Sequence, residues 1–295
     1  MLIYLDTVLW NRLYDENVSP PEIIGRLAAK QSSIAVSPFV FYELLKTFSN
    51  PTNFERGTKL LAYFAEFVKR TRFVVADNFL MLPEEVRSLQ TGKTVDPFSA
   101  LNDNAEFRTL VNRLANGGFS HYDREQLIIQ QGIANRCRHS AVDLLARTPG
   151  AADRLQSISS AELPQFLRKE SMTPEGVFFL RAPLRDAFAN LSRAEIDSIA
   201  RGLLTPPAKR FARGGARAGI YYQWRQANFG SVPKDVAEDM THILNSVYCD
   251  VYATSEAKQA DYAHLLVTSH TRIALSSDAG PIDEWIVGLA GAVTA

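Results

Sequence analysis

The 295-residue chain predicts an α/β protein built on a parallel sheet and carrying a large, mostly helical insertion. Short apolar runs alternate with helical patterns over the first 82 residues, and the same alternation returns after residue 233. Between them the strand signal disappears. Strand–helix alternation implies a parallel sheet covered by helices. Each end alone has too few strands to bury a sheet on both faces. Residues 1–82 and 233–295 are therefore expected to form one composite domain, with 83–232 inserted.

Leu2 to Leu5 is a short apolar run ending at Asp6, as suits a buried strand. Helical patterning follows over Val8 to Tyr14 and Pro21 to Lys30, with Pro20 and Pro21 marking a helix start. Ile34 to Val36 is the second strand. Ser37 and Pro38 then open a helix over Phe39 to Phe48, an N-cap followed by proline at the first helical position. Phe54 to Arg70 is amphipathic, and Phe73 to Ala76 is a third strand candidate. In the middle, helical patches such as Asn104 to Ala115 and Arg124 to Leu145 are separated by breaks at Asn116-Gly117-Gly118, Thr148-Pro149-Gly150 and Thr205-Pro206-Pro207. The last elements are a helix from about Pro233 to Tyr248, a strand Val251 to Ala253, a helix Ala257 to Val267 and a strand Ile273 to Leu275.

The net charge is zero, so a nucleic-acid role would need a local basic surface. Cys137 and Cys249 lack paired metal-ligand spacing and suit reduced, buried thiols. The N-terminus does not resemble a signal peptide, and no window approaches the roughly 20 apolar residues that span a bilayer. A cytoplasmic protein without a membrane segment is expected.

Four acids stand where such a sheet would gather them. Ligands bind beyond the carboxyl ends of strands in open parallel sheets, and Asp6 ends the first strand. Glu43 lies on the helix after the second strand, and Glu256 follows the strand Val251 to Ala253. Asp239 sits on the helix that restarts the alternation. Its 100° spacing puts it beside the stripe Val236, Met240, Ile243, Leu244 and Val247, with Asp235 and Glu238 pointing further into solvent. Clustered carboxylates repel, and a raised pKa or a bound cation relieves them. Mg²⁺ and Mn²⁺ suit oxygen-only sites of this kind.

The order of these motifs resembles the PIN nuclease family: Ile3-Tyr4-Leu5-Asp6-Thr7, the Ser37 to Glu43 helix, Asp239, and Thr254-Ser255-Glu256. The resemblance covers about half the chain. It implies a parallel-sheet α/β/α fold and an endoribonuclease using Mg²⁺ or Mn²⁺, held by Asp6, Glu43, Asp239 and Glu256, with Thr254 supporting the last. Single-stranded or structured RNA would be the substrate, and an inhibitor protein or a homo-oligomer a possible partner. The family usually has Asp where this chain has Glu256, which favours the alternative of a catalytically inactive RNA- or protein-binding scaffold.

Plainer readings stand beside each residue. The ligand reading is preferred for Asp6 over a helix N-cap, for Glu43 over a solvated or ion-paired acid and for Asp239 over a surface carboxylate, whereas Glu256 reads equally as part of a helix's first turn. Asp250, at the wrong end of its strand, reads as structural. His242 reads as a helix-surface histidine, and His121, His139, His264 and His270 carry no ligand spacing. The segment Ser198 to Lys234 holds Arg201, Lys209, Arg210, Arg213, Arg217, Arg225 and Lys234 and no acid, with Gly214, Gly215 and Gly219 interrupting it and Tyr221, Tyr222 and Trp224 following. Either Arg210, Arg213 and Arg217 hold RNA phosphates, or the segment is a flexible loop before a buried aromatic cluster.

Overall fold

The structure is a computed structural model that describes residues 1–46, 51–71, 73–75, 78–98, 105–267, 270–276 and 280–291. Four parallel strands lie in the order β2-β1-β3-β4: β1 (Leu2–Leu5), β2 (Ser33–Ala35), β3 (Val251–Thr254) and β4 (Arg272–Leu275). The two ends of the chain thus build one sheet. Tyr4 pairs with Ala35 on one side and Tyr252 on the other, and Ala253 pairs with Ala274. Val36 and Val74 add an isolated parallel bridge where the third strand was expected, while Ala76 lies outside the described residues. All four residues of β3 are buried, as a central parallel strand covered on both faces requires.

The connections run outward in opposite directions. Helices α1 (Thr7–Asp15) and α2 (Pro20–Ala29) carry the chain from β1 to β2, whereas α14 (Ala257–Leu266) carries it from β3 to β4. The sheet order therefore reverses between β1 and β3. Such a switch point opens a crevice at the carboxyl ends of the two strands. Asp6 and Thr254 stand there.

The middle of the chain is helical among the described residues. After α3 (Pro38–Leu45) and α4 (Phe54–Arg70) come α5 (Asn78–Thr91), α6 (Ala105–Ala115), α7 (His121–Arg147), α8 (Ala151–Gln156), α9 (Leu163–Glu170), α10 (Pro174–Ala187), α11 (Arg193–Leu204) and α12 (Arg210–Phe229). The expected boundary at 82/83 falls inside α5, whereas 232/233 falls in the link to α13 (Lys234–Ser246). The final helix is α15 (Ile282–Leu289). Buried apolar residues of the middle and of the sheet belong to one continuous core. No described helix is long and apolar enough to cross a membrane.

Within the basic segment, the glycine-bearing stretch is helix α12, not a loop, although the aromatic cluster that follows is buried as the second reading expected. Its glycines mark close crossings: a Cβ at Gly214 would meet Leu244 Cδ2 at 2.6 Å, and one at Gly219 would meet Phe179 at 2.3 Å. Most of α12 is buried, including Tyr221, Tyr222 and Trp224. Close packing offsets the modest helix penalty of glycine.

A buried acid ties this middle region to the body. Glu85 on α5 has no exposed surface and accepts hydrogen bonds from the N–H groups of Phe211 (2.7 Å) and Ala212 (2.8 Å) in the first turn of α12. It also accepts from the Tyr248 hydroxyl, just after α13, at 2.5 Å. Burial pushes its carboxyl up to about 7 against these donors. Glu85→Ala should orphan all three donors and lower stability by about 2–4 kcal/mol, whereas Glu85→Gln, still able to accept, should cost less. Urea unfolding midpoints check this, and equal midpoints for Glu85→Ala and the parent would refute it.

Candidate active site

Asp6 has no exposed surface. Its backbone N–H donates to the Ala253 carbonyl at 3.0 Å, which continues the β1–β3 ladder to the strand ends. Its Oδ1 accepts from Leu9 N–H at 2.9 Å and caps α1, so the N-cap reading of this residue holds. Its Oδ2 accepts from Thr254 Oγ1 across the switch point. Burial pushes the Asp6 carboxyl up to about 6; Thr254 and Leu9 oppose this, and the Glu256 carboxylate adds to it.

Asp239 on α13 occupies the other wall. Gln259 Nε2 donates to its Oδ1 at 3.2 Å, and Lys258 Nζ stands 3.8 Å from Oδ2. Gln259 in turn accepts from Tyr252 Oη at 2.6 Å and lies 3.5 Å from Thr254 Oγ1. Thr254 donates its one hydroxyl proton to Asp6 and Gln259 donates to Asp239, so the two aspartates are held by neighbouring side chains. Burial pushes Asp239 up to about 6 as well; Lys258 opposes, and Glu256 and Asp235 add to it. Glu256 is exposed at the N-cap of α14, with its N–H donating to Thr254 Oγ1 at 3.0 Å. Its charge acts on both aspartates.

Glu43 has different company. Its Oε2 accepts from Thr7 Oγ1 and faces His242 Nε2, each at 2.5 Å, and Lys46 Nζ stands 3.2 Å from Oε1. Burial alone would raise this carboxyl. His242, through charge and hydrogen bonding, then Lys46 and Thr7, outweigh it and hold the group well below the ordinary range. His242 Nδ1 meets Tyr4 Oη at 3.1 Å, Tyr4 Oη meets Ser37 Oγ at 3.0 Å, and Phe39 packs edge-on against the imidazole at 4.7 Å.

The structure corrects two expectations on α13. His242 is 1% exposed, not a surface histidine, and Glu238 pairs with Lys46 at 3.0 Å instead of standing in solvent. The stripe rule failed because α13 is covered from several sides, by α3, α14 and β3 of the body and by α5, α7 and α12 of the middle. Its buried set, which includes Ala237, His242, Asn245 and Ser246, is wider than one apolar face. The signal available for His242 was its place one turn from Asp239 and beside Ile243. Asp250 behaves as expected of a structural residue, accepting from Leu2 N–H at 2.7 Å at the far end of β1.

Of the three arginines expected to hold substrate, Arg217 is committed to the scaffold. Arg217 is 4% exposed and donates to the carbonyls of Leu266 (3.2 Å) and Val267 (3.0 Å), which end α14. A cation at a helix C-terminus is favourable, and here it replaces any contact with solvent. Arg210 stacks over Tyr248 at 5.3 Å, and Arg213 is half-buried.

The site therefore gathers Asp6, Asp239 and Glu256 around Thr254 and Gln259, with Glu43 alongside in a network centred on His242. Hard carboxylate oxygens are the donor set Mg²⁺ and Mn²⁺ take. As placed, Asp6, Asp239 and Glu43 face protein donors, and no three His, Cys, Asp or Glu side chains among the described residues form a ready metal cage. Comparison with protein-family models, curated proteins and solved structures gave no match to this chain.

Two predictions follow from the burial and pairing. A carboxyl whose folded pKa is raised favours the native state below its unfolded pKa, and that contribution is lost as pH rises through the folded value. Asp6 and Asp239 should thus cost the metal-free protein stability between about pH 4 and pH 6. Asp6→Asn should remove that cost, keep the α1 cap, and raise stability at pH 7 by about 1–2 kcal/mol; an unchanged or lowered unfolding midpoint would count against the burial argument. For the Glu43–His242 pair, Glu43→Leu and His242→Leu should each cost about 3 kcal/mol, and the double variant less than their sum. Additive costs in urea unfolding would show that the two side chains are not coupled.

Proposed function

We propose that the chain is a divalent-metal-dependent endoribonuclease of the PIN-like kind, acting at the switch point between β1 and β3. The observation that carries this reading is the convergence of Asp6 and Asp239 there. Both are held near pH 6 by burial, and both feel the Glu256 charge. Carboxylates whose ionisation is opposed by burial and by a neighbouring negative charge are what a cation relieves on binding. Thr254 and Gln259 support the reading, because each orients one aspartate, Thr254 holding Asp6 and Gln259 holding Asp239.

In this account Asp6, Asp239 and Glu256 hold Mg²⁺ or Mn²⁺ directly or through its waters. Glu43 joins them only by leaving His242. The bound ion supplies a polarised water and neutralises charge on the phosphate under attack. Asp6 stays fixed by its cap to α1, so its position costs no reordering. Thr254 holds the Asp6 oxygen and, through its own oxygen, the Glu256 backbone. Lys258, 3.8 Å from Asp239, offers a cation beside the site for a substrate phosphate. Arg217, committed to the end of α14, takes no part in this account.

The rival reading is an inactive scaffold that binds RNA or protein. It is favoured by the Glu43–His242 contact, which occupies one expected ligand, and by Glu256 in place of the usual Asp.

Incubation of the purified chain with a labelled single-stranded RNA separates the two. The nuclease reading expects scission with Mn²⁺, none with EDTA, and products bearing 5′-phosphate ends. Asp6→Asn and Asp239→Asn should each cut at least about a hundredfold more slowly, beyond the 10–100-fold typical of an outer-shell partner. Equal rates in these variants, or no Mn²⁺-dependent scission, would end the nuclease reading. Because cation and proton compete for the same carboxylates, the Mn²⁺-induced rise in Tm should grow from pH 5 to pH 7. A rise that is flat with pH, or as large in Asp6→Asn, would place the ion elsewhere.

A further inference from the structure

We infer that the C-terminal end of α12 is an anchoring site for an unpaired nucleobase and its phosphate, with Phe229 as the stacking face and Arg225 as the cation. The inference rests on the nuclease reading for its substrate class, but it concerns residues outside the acidic cluster. Phe229 is the last residue of α12 and is 60% exposed, the highest value among the exposed large apolar side chains of the described residues. Single exposed apolar residues are common on protein surfaces, so exposure alone decides nothing. The surroundings do.

The Phe229 ring is held from two sides within its own helix. Trp224 packs against it edge-on at 5.5 Å, and the Arg225 guanidinium lies 5.4 Å from its centroid. The helix end beneath is pinned by Asn228 Nδ2 to Leu155 O at 3.2 Å and Gln226 Nε2 to Gly230 O at 2.9 Å. A preorganised ring loses little freedom when a base stacks on it. Arg225 makes no ion pair among the described residues. Its NH1 donates to Tyr221 Oη at 3.3 Å, and its buried Nε has no partner. Its charge is thus left for an anion.

The anchor is connected to the proposed site. Tyr221 packs on Tyr262 at 5.7 Å, Lys258 lies over the Tyr262 ring at 5.6 Å, and Lys258 reaches Asp239. Lys258 also pairs with Asp235 at 2.7 Å, so its charge is partly spent, and Arg225 is the freer cation of the two. An aromatic face beside a free cation, with a second cation leading to the acids, is the pattern that holds single strands by stacking and charge neutralisation. Tyr221, Tyr222 and Trp224 are buried and cannot serve as the stacking face.

The test is fluorescence anisotropy of a labelled single-stranded oligoribonucleotide on the full chain in EDTA, where scission does not intervene. Phe229→Ala should weaken binding by about fivefold or more, while Phe229→Trp should retain it. Arg225→Gln should weaken binding and reduce the slope of log Kd against log salt by about one. Undetectable binding, or equal affinity of Phe229→Ala and the parent, would overturn the inference, and equal losses in the Ala and Trp variants would do the same. Phe229-dependent binding without Mn²⁺-dependent scission would uphold this anchor and sink the nuclease reading. Scission with Phe229-independent binding would do the reverse.

Discussion

The site depends on one constraint: a carboxylate without exposed surface is fixed at the end of the strand beside the point where the sheet order reverses. Asp6 ends up there because the β1–β3 ladder continues through its own N–H and because its oxygen caps the next helix. One role is that of its backbone and the other pairs its side chain with a backbone N–H, so its position is set by the fold itself. Burial then makes ionisation costly, and Thr254 and Leu9 offset only part of that cost. A second, half-buried acid arrives from α13 and a third charge from the start of α14. The sheet can therefore close around this edge only with protons, protein donors or a cation balancing it.

The protein donors are visible and unequal. Glu43 has Thr7, His242 and Lys46, and its charge is well accommodated. Asp239 has one amide donor and a lysine at 3.8 Å, and remains raised. This asymmetry separates a settled acid from two unsettled ones. It moves the centre of the proposed metal site towards Asp6, Asp239 and Glu256, and leaves Glu43 as the group whose His242 contact competes with coordination.

Much of the sheet was legible because its strands are short apolar runs flanked by helix-opening residues such as Ser37-Pro38. A buried parallel strand has no other pattern to adopt. The return of that pattern after residue 233 gave the union of the two ends. Less of the site was legible. Asp6 followed from its strand end, and Asp239 from helix geometry. His242 did not, because its burial comes from segments distant in sequence, and one helix's periodicity carries no record of them. The basic helix misled for a related reason. Arginines and glycines in a row look solvated and loose, yet Gly214 and Gly219 are contact points, and Arg217 finds its acceptors at the end of α14, about fifty residues away in the chain. Composition records charge but not its partner.

Crystals of the protein soaked in Mn²⁺ and measured for anomalous scattering test the central claim most directly. The account predicts a peak at the carboxyl ends of β1 and β3, within about 2.0–2.3 Å of an Asp6 oxygen and shared with Asp239 or Glu256. Saturating Mn²⁺ with no peak at that edge, and Asp6 still bonded only to Thr254 and Leu9, would contradict it.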